Sequence, residues 1–155
     1  MAETVKTRKS LMKEILIGGL ILLLAGTGIY WYVATEKFSD TKERKADFTA
    51  NATDLIKEFI TDNKASNAKY AEKIVVVNGI VSATESADTT INIKMTDTAS
   101  GSYIIFAFQD QHLDEAKTLK AGDSVSIKGS CSGGVYSDIL GFYSLAFKRS
   151  ALNKQ

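Results

Sequence analysis

Residues 74–82 of this 155-residue chain read IVVVNGIVS, and this stretch decides the fold of the sequence around it. Six of its nine residues are Ile or Val, the β-branched types that are enriched in buried strands. Gly79 interrupts the apolar run, and a glycine inside a strand commonly marks a bulge or a sharp bend. We therefore predict a strand over 74–82 that bends at Gly79.

Downstream of this strand, apolar residues continue to recur at every second position. In residues 90–96 one face carries Ile91, Ile93 and Met95. After a turn at 97–101, the same alternation predicts a third strand over 102–108, a short helix over 109–119, a fourth strand over 124–130, a turn at 132–134 and a fifth strand over 139–148. Five strands with a helix between the third and fourth are the ordering of an OB-fold, a small, partly open Greek-key barrel. We therefore expect a mainly β fold with helices.

One amphipathic helix is predicted ahead of the barrel. Its apolar residues are separated by 4, 3, 1, 3 and 1 positions, which places them on one stripe of an α-helix: Phe48, Ala52, Leu55, Ile56, Phe59 and Ile60. This stripe could hold a partner helix, but packing on the chain's own sheet is the default expectation. The helix and the barrel together are predicted to form one domain over 47–150.

Three short motifs occur in order along residues 54–147. The first, D-x-x-x-x-N-x-K-Y-x-x-K, is formed by Asp62, Asn67, Lys69, Tyr70 and Lys73. The second, V-x-G-x-V, is formed by Val77, Gly79 and Val81. The third, V-x-I-K-G-x-C-S-G, is formed by Val125, Ile127, Lys128, Gly129, Cys131, Ser132 and Gly133.

In this order the motifs resemble those of the tRNA_anti-like family. This is a family of small OB-fold domains that occur largely in bacterial membrane-anchored or exported proteins. The chain departs from the family pattern at Ala71-Glu72, where a glycine is usual, and in its fifth strand, which lacks a cysteine often seen there. The resemblance implies an OB-fold, and it leaves the ligand unassigned.

Residues 15–35, ILIGGLILLLAGTGIYWYVAT, contain no charged side chain. As a helix, this run matches a hydrocarbon core of about 30 Å. A cleaved signal peptide is the alternative, but Tyr32 lies where its cleavage site needs a small residue, and aromatic residues suit the membrane interface. The predicted organisation is therefore a basic tail over 1–14, an uncleaved transmembrane helix over 15–35, a linker over 36–46, the domain over 47–150 and a tail over 151–155.

The orientation of the span depends on its flanks. Four cations precede it and four follow it closely, so the positive-inside count alone is a tie. The cations that follow are interleaved with acidic residues, whereas those in the N-terminal tail are joined by the α-amine. We expect the N-terminus in the cytoplasm and the OB domain in the periplasm, with the span in a bacterial inner membrane. The mixed charges of the linker predict a solvated spacer rather than an anionic-lipid site.

OB-folds bind ligands on the outward face of their second and third strands. The outward residues here are expected to be Asn92, Lys94, Tyr103, Ile105 and Ala107, of which we predict Asn92, Lys94, Tyr103 and Ile105 as ligand-binding. One tyrosine and one lysine make a poor stacking platform for single-stranded nucleic acid. The whole chain has 19 Lys and Arg against 18 Asp and Glu, a balance that also disfavours a polyanion partner.

No catalytic constellation is visible in the sequence. Cys131 is the only cysteine, and no activating group is predicted beside it, so a buried strand-end residue is favoured over a redox thiol. His112 is the only histidine, and on a helix its neighbours Asp110 and Asp114 splay around the axis, so no metal site is expected. No cofactor is predicted.

Three functional hypotheses remain. The first is a non-enzymatic binding or scaffold module of the bacterial cell envelope, with an unknown protein or envelope ligand as partner. The alternative is a membrane-tethered module that binds single-stranded nucleic acid. An OB-fold nuclease is the weakest, because Arg149 is the only arginine in the barrel region.

Overall fold

The structure is a computed structural model that describes residues 8–35, 40–87 and 89–153. The chain divides into two units, residues 1–38 and residues 39–155. In the first unit, helix α1 spans Arg8–Thr35. Its stretch Ile15–Tyr32 is long and apolar enough to cross a membrane, by length and composition. Parts of the predicted tails and linker, at 1–7, 36–39 and 154–155, lie outside the described residues.

The second unit is a mainly β domain with short helices. In chain order its elements are β1 (Phe48–Asn51), α2 (Ala52–Thr61), α3 (Asn63–Tyr70), β2 (Ile74–Ile80), β3 (Ala83–Ala87), β4 (Thr90–Thr96), β5 (Tyr103–Phe108), a 3-10 turn (Asp110–His112), α4 (Leu113–Lys117), β6 (Ser124–Ser137) and β7 (Phe142–Leu152). The predicted helix over 109–119 is therefore a 3-10 turn followed by a single short helix.

The strands form one sheet in the order β1-β2-β6-β7-β5-β4-β3. Within the described ranges this sheet has seven strands where the sequence predicted five, and its pairings leave β1 and β3 as open edges. The strand predicted over 74–82 is in fact β2, which ends at Ile80, and only Val81 and Ser82 separate it from β3. At this junction the Ser82 amide donates to the Lys94 carbonyl at 2.8 Å, so the chain turns directly into its pairing with β4.

The second additional strand, β1, corrects the predicted start of the amphipathic helix. Phe48 lies in β1, which pairs in parallel with β2 and places Phe48 opposite Val75. Its ring packs edge-on against Tyr70, with 5.1 Å between the ring centroids. The helical spacing of Phe48 was therefore misleading, because the residue meets the same core from a strand. Helix α2 begins at Ala52 and buries the rest of the predicted stripe except Ile60.

The last two strands also differ from the prediction. Residues 132–134 are not a turn but part of the long strand β6, where the register with β7 shifts between Cys131 and Gly133. Gly133 has a φ of +102°, a backbone conformation that glycine adopts at little cost. The chain reverses only at residues 138–141, so the fifth strand begins at Phe142 instead of Ile139 and runs to Leu152.

The core lies on one face of the sheet, beneath α2. Its largest fully buried side chains are Phe59, Phe106, Phe147, Leu55, Ile56, Ile74, Ile93, Met95, Ile104, Ile127, Leu145 and Val75. Except for Ile74, which lies on the opposite face of β2 from Val75, the strand residues in this set come from the inward positions of the alternating pattern, so the opposite positions of β4, β5 and β7 face away from the core.

Candidate ligand-binding face

The predicted ligand-binding residues lie together on the outward face of β4 and β5. Lys94 is opposite Ile105 in the pairing, and Asn92 is opposite Ala107. Tyr103 is opposite Thr96, on the same face. All four predicted residues are partly exposed, whereas the residues that alternate with them are buried. We name the outward positions of β4, β5 and β7 the outer face.

Lys94 is held in place on this face by two neighbours. Its Nζ lies 2.8 Å from Oε1 of Glu85 in β3 and 4.6 Å from the centre of the Tyr103 ring. The carboxylate offsets the charge of the ammonium group, and the ring covers one side of it. Lys94 is therefore paired with a carboxylate and an aromatic ring on this face.

Strand β7 adds an aromatic residue that the sequence analysis missed. Tyr103 is opposite Ser144, so Phe142 and Ala146 face outward with it. The rings of Tyr103 and Phe142 meet edge-on, with their centroids 5.7 Å apart. The outer face therefore carries two adjacent aromatic side chains instead of one. The alternation in FYSLAF, residues 142–147, was the available signal, but it indicates this neighbour only once β5 and β7 are known to pair.

The face continues into an apolar tip at the end of the β6–β7 hairpin. Val135 is opposite Ser144 and is 69% exposed. In the turn itself, Ile139 is 95% exposed and Leu140 is 61% exposed. Clustered apolar side chains left in water commonly mark an interaction surface. We name Val135, Ile139 and Leu140 the hairpin tip.

The charged side chains on this surface are paired with one another. At the far end of the face, Lys148 pairs with Glu72 at 2.9 Å, and this contact lowers the pKa of the Glu72 carboxyl. Together with the Lys94–Glu85 pair, it leaves the surface close to neutral. Within residues 8–35, 40–87 and 89–153, no three potential metal ligands converge. The outer face is therefore suited to aromatic, apolar and hydrogen-bonding contacts.

The first sequence motif is structural, and Asn67 is its central residue. The Asn67 side chain accepts a hydrogen bond from the Gly134 amide at 2.9 Å and donates to the Gly134 carbonyl at 3.0 Å. A Cβ on Gly133 would lie 2.3 Å from Oδ1 of Asn67, so this approach requires glycine. Asp62 caps α3 by accepting from the Ala65 amide. We name α2, α3 and the turn between them the helical corner. Asn67 attaches this corner to the bulge in β6.

Lys69 and Tyr70 also belong to this corner. Tyr70 is buried, and its hydroxyl donates to Oε2 of Glu58 at 2.9 Å, while Lys69 contacts the same oxygen at 3.0 Å. Burial would raise the pKa of Glu58, but the hydrogen bonds from Lys69 and Tyr70 outweigh it and lower the pKa. The structure therefore gives Tyr70 a packing role away from the outer face.

Cys131 lies fully buried in β6. Burial raises the pKa of its thiol, although the Gly133 amide, which donates to its sulfur at 3.4 Å, acts in the opposite direction. A buried thiol of raised pKa is a weak nucleophile. Its surroundings are those of a small apolar core residue.

The chain is similar in sequence and fold to known proteins. The sequence model of the tRNA_anti-like family matches residues 1–140, and the chain belongs to that family. The match confirms the resemblance carried by the three motifs. No curated protein matches the sequence.

Two solved structures illustrate the fold. A proposed nucleic acid-binding lipoprotein from Klebsiella pneumoniae superposes with a TM-score of 0.55 at 14% identity, over 72% of this chain and 100% of that one. The asparaginyl-tRNA synthetase from Pyrococcus horikoshii aligns with a TM-score of 0.38 at 16% identity, over 54% of this chain and 20% of the synthetase. The first of these similarities supports the OB-fold, and neither assigns a ligand to this chain.

Proposed function

We propose that this protein is a membrane-anchored, single-pass OB-fold binding module of the bacterial cell envelope that acts without catalysis. Its ligand would bind on the outer face, at Asn92, Lys94, Tyr103 and Ile105, extended by Phe142 and the hairpin tip. The observation that carries this proposal is the Tyr103–Phe142 pair, partly exposed beside a lysine whose charge is already offset by Glu85. Such a surface favours a protein or neutral envelope ligand over a polyanion.

The barrel form of the fold is part of this proposal. Strands β2 and β3 are consecutive in the chain and would be the two halves of one bent OB strand, interrupted at Val81 and Ser82. The first half pairs with β6 and the second with β4. Counted in this way, β2 with β3, β4, β5, β6 and β7 supply the five strands of an OB barrel, and β1 is an addition.

Nucleic acid is the second candidate ligand. The additional aromatic side chain of Phe142 favours it, because base stacking needs such platforms. We nevertheless expect the full chain in detergent to bind a labelled single-stranded oligonucleotide only weakly, with a dissociation constant above about 10 μM at physiological salt. Fluorescence anisotropy at two salt concentrations measures this. Submicromolar binding that weakens steeply with salt and is lost in Tyr103→Ala would put nucleic acid first.

The ligand itself is best sought by photo-crosslinking in intact membranes. One crosslinking amino acid is placed at Ser144, on the outer face. The control probe is placed at Lys117 in α4, where the lysine side chain is 63% exposed. We expect a discrete adduct from Ser144 that is reduced by Phe142→Ala and absent from Lys117. Equal labelling from both positions would reject the outer face as the binding surface.

Anchoring and topology are tested separately. We expect the mature protein to retain the span, to resist carbonate extraction and to expose residues after Glu36 to protease added to spheroplasts. A mature N-terminus near Thr35 would contradict the anchor. A domain that stays protected until lysis would contradict the periplasmic orientation.

A further inference from the structure

Residues 40–47 contact the domain, although the sequence predicted a solvated spacer over 36–46; within this segment Glu43, Arg44 and Lys45 remain exposed. We name residues 40–47 the strap. The strap begins with a turn in which the Glu43 amide donates to the Asp40 carbonyl at 3.1 Å and the Lys42 amide donates to Oδ1 of Asp40 at 2.9 Å. Thr41 is 1% exposed, so the domain covers this side chain almost completely.

Three polar contacts hold the strap in this position. Asp40 Oδ1 lies 2.8 Å from Nε2 of the buried His112. The ammonium group of Lys42 contacts the carboxylate of Glu115. From β6, Lys128 donates to the carbonyls of Lys42 and Arg44, each at 3.0 Å. The 3-10 turn, α4 and β6 thus each contribute one side chain that grips the strap.

The far end of the strap is attached more firmly, by backbone pairing. The Asp47 amide donates to the Ile74 carbonyl at 2.7 Å, and the Ile74 amide donates to Oδ2 of Asp47 at 2.8 Å. These bonds lead directly into the β1–β2 pairing. Asp47 is therefore a fixed point, whereas residues 40–46 depend on the three side-chain contacts and on Thr41.

We propose that the strap is a releasable tether that sets how far the domain can move from the end of helix α1. Apart from Thr41 and the contact of Asp40 with the buried His112, the strap is held by polar, partly buried contacts, so we expect local opening to require less free energy than unfolding of the core. With the strap docked, four residues (36–39) separate it from the end of α1, a chain length of at most about 14 Å. With the strap released, eleven residues (36–46) separate α1 from Asp47, a chain length of at most about 38 Å.

Docking of the strap does not depend on the anchoring proposed above, whereas its effect on reach does. The first experiment therefore uses the full chain in detergent and measures trypsin cleavage at Lys42, Arg44 and Lys45. We expect cleavage at least about 10-fold slower than in a free peptide of residues 36–47, because these sites must leave the domain before a protease can bind them. Equal rates would overturn the docking.

Two variants test which contacts hold the strap. Lys128→Met removes the two bonds to strap carbonyls, and Asp40→Ala removes the contact with His112 by a substitution in the strap itself. Each should accelerate cleavage of the strap about 10-fold or more, while the urea midpoint of the domain changes little. Lys117→Met, which removes the exposed pair with Asp114, is the matched control and should leave cleavage unchanged. Unaltered cleavage in both variants, or equal acceleration at sites throughout the domain, would overturn a releasable strap.

The effect on reach is measured in liposomes. Asp138→Cys accepts a fluorescent label selectively, because Cys131 is buried. We expect a lipid-attached quencher to act less on this label when Asp40→Ala releases the strap. Unchanged quenching with the strap open would overturn the effect on reach, whereas failure of the protein to enter liposomes would contradict the anchor instead.

Discussion

Gly79 shows how the same residue can be conspicuous in sequence for one reason and required in the structure for another. We predicted a bend at Gly79, but the strand breaks two residues later, at Val81 and Ser82. Gly79 lies inside β2, opposite Val125. A Cβ there would lie 2.8 Å from the Cβ of Ala52 and 2.7 Å from Sδ of Met95, so glycine is required by the close approach of α2.

Gly79→Val should therefore reduce the free energy of unfolding by about 1–3 kcal/mol, because the added atoms overfill this contact. The measurement is the urea midpoint. A cycle of Gly79→Ala with Ala52→Gly isolates the cause, since removing the Ala52 methyl makes room for the new one. Strictly additive losses in the double variant would reject the α2 contact as the reason for glycine.

The carboxyl group of Glu58, another single residue, makes the free energy of unfolding depend on pH. Its pKa is lowered below the ordinary 4.5 in the folded state, so its ionised form stabilises the fold above that value. This contribution is lost as the pH falls through the lowered pKa. We expect Glu58→Gln to unfold at lower urea than the native protein near pH 7 and the difference to shrink between about pH 5 and pH 3. Glu43→Gln, on the exposed part of the strap, is the control; a pH-independent difference for Glu58→Gln would contradict this account.

At the scale of elements, the contact between α3 and β6 is made by the side-chain amides of Asn63 and Asn67, and that of Asn67 makes two of the bonds. Asn67 bonds to both the amide and the carbonyl of Gly134 where the ladder with β7 is irregular. The side-chain amide of Asn67 thus makes the two hydrogen bonds to Gly134 that the backbone of a neighbouring strand would otherwise make.

Asn67→Ala leaves the Gly134 amide unpaired, while Asn63 still donates to the Gly134 carbonyl at 3.0 Å, and should destabilise the domain by about 1–3 kcal/mol. Thermal unfolding followed by circular dichroism measures the effect. Asn51→Ala is the matched control, because its exposed side chain makes only a 3.5 Å contact with Asp54. Equal effects of the two substitutions would show that the bridge to Gly134 contributes nothing specific.

At the scale of the whole molecule, the start of the independently folding domain at residue 47 stays a prediction. The second unit begins at residue 39 and includes the strap. The motif residues Asp62, Asn67 and Tyr70 lie on the helical corner, away from the outer face, so the parts of the chain that identify the family build its scaffold.

Fragments that start on either side of the strap test this boundary. We expect residues 39–155 and residues 46–155 both to fold, with the shorter fragment less stable by about 1 kcal/mol because it lacks the polar contacts of the strap and the buried Thr41. Urea unfolding of the two fragments gives the difference. An unfolded shorter fragment would show that the strap belongs to the core.

The sequence by itself determined the features that depend on local periodicity. Alternation in β4 and β5 was enough to place Asn92, Lys94, Tyr103 and Ile105 on one face, because a strand turns successive side chains to opposite sides wherever it pairs. Composition was enough to predict the apolar helix over Ile15–Tyr32, and the helical period was enough to predict the buried stripe of α2.

Only the tertiary structure decided the features that depend on distant partners. Phe48 lies in a strand because its backbone pairs with β2 and its ring packs against Tyr70. The glycines at 133 and 134 lie in a bulge instead of a turn because Asn67 bonds across it. Phe142 lies beside Tyr103 because β5 pairs with β7. The charged strap is held on the domain because His112, Glu115 and Lys128 contact it. These contacts join residues far apart in the chain, and no local pattern records such a pairing.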